Sequence, residues 1–225
     1  MDSRSSQRRL PPEGVAETES ALRHMVGLVD DPNTPAVAVE AIKTHGLESA
    51  NTALTDLDAH RGAVAETRDA RAGQRTKNVN ADEAVVGFLG SVRINSGKTT
   101  LDEVLRELEA APSDVLRQPD RDQVFSIERF ITRLAARDLK LPTERFEQVK
   151  ETQAELRAAI STTDAAVERQ ARLAKQSRAS LRTARADYSK VIMALTLLLG
   201  EDAVYGLLLT FDREASKKAE ADETE

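Results

Sequence analysis

The chain has 225 residues, 40% of them hydrophobic but only 3% aromatic, with neither Trp nor Cys and a formal net charge of −6. The missing cysteine excludes disulfides, thiolate chemistry and Cys-ligated zinc, and the net acidity argues against general affinity for nucleic acid. Ten glycines and seven prolines are too few breakers for a many-turned β fold, so Ala, Leu and Val are left to pack helix against helix.

Residues 1–12, "MDSRSSQRRLPP", are polar, basic and closed by two prolines, which reads as a disordered arm. No apolar run follows the arginines, so the arm is not a secretory leader, and a cytoplasmic location is expected. A first helix is predicted over 14–29 and stops at "DDPNTP" (30–35), a cluster of turn formers. From Pro35 a helical pattern runs to about Val92, with Gly46, Gly62 and Gly73 as weak points. Its seam is Val64, Thr67, Arg71, Gln74, Asn78, Ala81, Val85, Phe88 and Val92.

"NSGKTT" (95–100) carries the Gly-Lys-Thr of a phosphate-binding loop. Such a loop needs a second glycine five residues before Gly97, between a strand and a helix. Val92 stands there, at the end of a helical pattern. Helix punctuation accounts for the same residues. Gly97 would end one helix as a left-handed cap, and Thr100 with Glu103 would form the capping box of an acidic helix over 100–111. A loop (112–120) and a helix over 121–138 follow.

After Pro142 comes a run without Gly or Pro until Gly200. Phe146, Val149, Gln153, Leu156, Ile160, Thr163, Val167, Gln170, Ala174, Ser177, Leu181, Ala184, Tyr188, Val191, Leu195 and Leu198 recur at alternating steps of three and four. A 3.5-residue repeat sustained this far predicts one helix, roughly 85 Å long, lying along a partner. Shifted by 103 positions, the seam from Val64 to Val92 lands on Val167 to Leu195, which suggests an internal duplication. The polar middle of both seams suits a register-setting role.

The expected architecture is all-α: an elongated antiparallel helical bundle or coiled coil dominated by two long helices. It would form a single bundle over 13–211, with one repeat at about 14–95, a linker helix at about 99–118 and a second repeat at about 121–200. Residues 212–225 read as a charged tail.

Chemistry is not marked out. His24, His45 and His60 fall in no metal-ligand pattern, no Ser sits in a Gly-x-Ser-x-Gly turn, and no carboxylate pair is distinguished. No catalytic residue, cofactor, metal or small-molecule substrate is therefore expected. A basic stripe is present: Arg169, Arg172, Lys175, Arg178, Arg182 and Arg185, with no acid among them. It could grip phosphates or an acidic partner, but the bland account is a solvated face, or one paired with the acidic helix at 100–111.

"VIMALTLLLGEDAVYGLLLTF" (191–211) holds two apolar runs around Gly200-Glu201-Asp202, each shorter than a membrane span. A buried hairpin, an oligomer interface and a membrane-inserting hairpin all fit it. The functional expectation is a non-enzymatic scaffold or adaptor that associates with another protein or with itself, through Leu181, Tyr188, Val191, Leu195, Leu198, Leu207 and Leu208, residues that fit a plain core equally well. The alternatives are a membrane-active protein using 191–211 and a binder of nucleic acid or an acidic partner using the stripe.

Overall fold

The computed structural model describes residues 14–209, together with the backbone of Gln7–Arg8 and Phe211–Asp212. The fold is all-α. In chain order the elements are β1 (Gln7–Arg8), α1 (Val15–Asp30), α2 (Ala36–His45), α3 (Leu47–Glu107), α4 (Pro112–Val115), α5 (Asp120–Ala135), α6 (Thr143–Leu199), α7 (Glu201–Leu207) and β2 (Phe211–Asp212). The two-residue strands pair antiparallel, Gln7 with Asp212 and Arg8 with Phe211. The remainder of the predicted N-terminal arm and C-terminal tail lies outside the described residues.

Glycine and proline set the element ends. Gly46 separates α2 from α3, whereas Gly62 and Gly73 are absorbed into α3 without a break. Gly200, with φ 81°, divides α6 from α7 in a region that favours glycine. Gly97 sits inside α3 with φ 84° and ψ 176°, one non-helical residue between two helical stretches. No capping-box bond between Thr100 and Glu103 appears among the described residues; the Thr100 hydroxyl donates to the Ser96 carbonyl at 3.0 Å. The segment predicted as a loop at 112–120 contains α4, with Pro112 at its first turn and Val115 buried.

The chain divides into two compact units. Unit 1 comprises Met1–Gly62 and Ala171–Glu225, and unit 2 comprises Ala63–Gln170, so α3 and α6 each contribute to both. Unit 1 buries Ala21, Leu22, Met25 and Leu28 of α1 at helical spacing against Ala38, Ala41 and Ile42 of α2. Ala50, Ala53 and Leu54 of α3 and Leu181, Ala184, Tyr188, Val191 and Leu195 of α6 complete that core. Unit 2 packs Val85, Phe88 and Val92 of α3 against Ile127, Phe130 and Leu134 of α5 and Phe146 and Val149 of α6. The Phe88 ring meets Phe130 edge-on at 6.3 Å and Phe146 at 5.5 Å.

The α6 ridge is buried over most of its length, with Gln170 and Ala174 half-buried and two positions exposed. Val167 is 37% exposed and Leu198 58%. At the end of α6 the core takes Ile192, Ala194 and Leu199, so the last step from Leu195 is four residues instead of three. In α3 the interior positions are Ala63 and Thr67, while Val64 and Arg71 face out. The Thr67 hydroxyl donates to its own helix at Ala63 and to the Ala166 carbonyl of α6 at 3.2 Å. Such a bond to a neighbouring backbone needs close approach, which favours alanine. A straight helix also drifts about 20° per heptad from a 3.5-residue repeat, so a strict heptad rotates off the contact line.

Candidate functional site

The residues expected to present an interaction surface are mostly interior. Leu181, Tyr188, Val191, Leu195 and Leu208 are buried in the unit 1 core, and Leu207 is half-buried against it. Of the two roles the sequence left open for them, contact surface and plain core, the buried members pack inside unit 1, against α1, α2 and the start of α3. The Tyr188 hydroxyl is buried with no hydrogen-bond partner among the described residues, and burial pushes its pKa upward. Only Leu198 of that set stands in solvent, beside Met193 (59% exposed) and Leu197 (87%).

The acidic stretch at 100–111, one of the bland accounts offered for the basic stripe, finds cations within its own unit. Glu107 is engaged by Arg137 of the loop after α5, and Glu109 by Arg133 and Arg129 of α5. Arg133, first, and then Arg129 hold the Glu109 carboxyl below its ordinary value against the opposing effect of desolvation. Arg169, in unit 2, pairs with Glu66 of α3 at 2.7 Å. In unit 1, Arg172, Lys175, Arg178 and Arg182 are exposed and have no charged partner among the described residues. Arg178, Arg182 and Arg185 line a cleft of about 390 Å³ with Val15, Thr18 and Leu181. Four exposed cations without stacking aromatics can attract an anion but read nothing on it.

A polar cleft of about 440 Å³ that sequence reasoning missed lies in unit 1, where the turn between α2 and α3 meets α6. His45, Ser49 and Asp187 line it, with Lys43, Thr52 and Thr183. Asp187 is held below the usual aspartate value first by Lys190, with Ser49 and His45 adding to the effect against desolvation. Ser49 donates to the Gly46 carbonyl at 3.2 Å and no His45–Ser49 bond forms, so the trio lacks the nucleophile–base contact of acyl transfer. No local signal could have found it, because Asp187 is remote in sequence from the other two. Among the described residues no group of His, Asp and Glu could hold a metal ion.

The feature with the clearest chemistry is the outer face of α3 in unit 2. At 100° per residue Ala72, Val79 and Val86 fall within about 20° of one line, roughly opposite the buried Phe88 and Val92. Val79 is 54% exposed, Val86 56% and Ile94 83%. Arg75, Glu83 and Gly90 share the face, all exposed, and a Cβ at Gly90 would meet nothing within 4 Å. A second heptad, Ala72-Val79-Val86, was thus present in the sequence beside the stronger seam that masked it. Compared with protein families, curated proteins and solved structures, the chain matches none.

Proposed function

We propose that the chain is a non-enzymatic helical scaffold that acts by protein–protein association, with a second copy of itself as the partner. The observation that carries this reading is the exposed apolar line on α3. Branched aliphatic side chains at heptad spacing, on a helix face that unit 2 leaves uncovered, are the half-seam that a further helix completes. An internal duplication, part of the same proposal, would give both units one plan, and two features support it. α1 and α5 each have 16 residues and each precedes a proline-containing turn. Under the 103-residue shift Ala81, Phe88 and Val92 correspond to Ala184, Val191 and Leu195, all fully buried.

A membrane-active role is the second reading, favoured by Met193, Leu197 and Leu198 standing out from the last turns of α6. Among the described residues no helix is long and apolar enough to cross a membrane, so such a role would begin at the lipid surface. Light scattering over a concentration series, with and without anionic vesicles, tests both. Scaffold behaviour gives a solution mass that rises from one chain toward two with concentration and does not change with lipid. A single-chain mass at every concentration overturns it, and vesicle leakage that Leu197→Asp abolishes would establish the membrane reading instead.

A further inference from the structure

Resting on that reading of self-association, we infer that two copies pair antiparallel through the outer face of α3, about a two-fold axis that passes beside Val79. The argument is the symmetry of the face. Its residues are Arg68, Ala72, Arg75, Val79, Glu83, Val86 and Gly90, so the steps run four, three, four to Val79 and four, three, four beyond it. In an isologous antiparallel pair residue i of one copy meets residue j of the other and the reverse.

With Val79 on the axis, Arg75 meets Glu83 of the second copy, Ala72 meets Val86, and Arg68 meets Gly90. Each layer away from the axis then holds an opposite charge pair or a large side chain against a small one, and valine meets valine on the axis itself. The spacing alone would serve any sequence; the pairing of types is what selects a copy of this chain as the occupant. A parallel pair would instead place Arg75 on Arg75 and Glu83 on Glu83. Arg75 and Glu83 are exposed and have no salt bridge among the described residues, so both are available. Val64 and Ile94, 43% and 83% exposed, are also equidistant from Val79 and flank the ridge on opposite sides.

The size of the face sets the strength. A ridge about 45 Å long and about 10–12 Å wide buries on the order of 500 Å² per copy, less than the about 800 Å² per partner of a standard stable complex. The pair should therefore be reversible, and the Arg75–Glu83 contacts, made twice per dimer, should weaken it as salt rises.

Cysteine is absent from the chain, so single introduced thiols report cleanly. Val79→Cys is expected to form a disulfide-linked dimer on mild oxidation, because the two thiols meet across the axis within the about 4.4–6.8 Å Cα separation a disulfide requires. Val86→Cys alone should not, while Val86→Cys mixed with Ala72→Cys should. Arg75→Glu and Glu83→Arg should each weaken dimerisation about tenfold, and the double exchange should recover it. Dimers by light scattering with no Val79→Cys cross-link, or a double exchange as weak as either single change, would overturn this interface and leave self-association standing. Single chains at every concentration would overturn both.

Discussion

Replacing Phe88 with alanine tests whether the aromatic cluster is the keystone of unit 2. The ring is fully buried, and it touches Phe130 at 6.3 Å and Phe146 at 5.5 Å between three helices. Deleting it removes the transfer free energy of a phenyl group and leaves a void that helices anchored at both ends cannot collapse, so Phe88→Ala should cost about 3–5 kcal/mol. Phe88→Leu keeps most of the volume and loses the two ring contacts, each worth about 0.5–1.5 kcal/mol, so its cost should fall near 1–3 kcal/mol and below that of alanine. Urea unfolding followed by far-ultraviolet circular dichroism measures both costs. Hydrogen exchange read by mass spectrometry locates the loss, which should appear first in the core stretches of α3, α5 and α6 in unit 2. The reasoning fails if leucine is as damaging as alanine, or if alanine costs less than about 1 kcal/mol, because either result would mean the void closes.

Three further outcomes follow from unit 1 and the exposed length of α3. A Cβ at Gly46 would lie 2.7 Å from Val191 Cγ2 and 3.2 Å from Met25 Cε, so Gly46→Ala should destabilise by about 1–3 kcal/mol despite alanine's better helix propensity. At Gly73, where nothing lies within 4 Å, the same change should stabilise by about 0.5–1 kcal/mol, and thermal melts of the two variants should move in opposite directions. Glu19, nearly buried on α1, accepts hydrogen bonds from Arg61 and Arg23, and Arg61 is the larger cause of a pKa held below 4.5 against the opposing effect of burial. A carboxylate depressed in the folded state contributes its full stability above the ordinary value, and loses it as pH falls through the folded one. Wild type should therefore lose more stability than Glu19→Gln on acidification below 4.5; identical acid limbs in a pH series of urea midpoints would refute the role.

Much of the candidate surface was legible in principle and hidden in practice. Val79 and Val86 repeat every seven residues, as the buried seam does, but a helix carries several such lines and only one need be filled. Leu181, Tyr188 and Val191 show the converse: apolar spacing marked them as contact residues without saying whether the contact was internal. The basic stripe behaved similarly. Its charge run was plain from residue types, yet the cations that engage Glu107 and Glu109 are Arg129, Arg133 and Arg137, which lie near those acids only once α5 has folded back.

Periodicity, glycine and proline by themselves determined the helices and most of their ends, because hydrogen bonds and side-chain spacing within a helix are properties of neighbouring residues. Tertiary structure alone decided which face of each helix is interior. It chose Ala63 over Val64, sent Leu198 into solvent and left the Val79 line uncovered. Those outcomes turn on the third helix that each unit supplies, α1 in one and α5 in the other, and a face is buried only where another segment, remote in sequence, arrives to cover it.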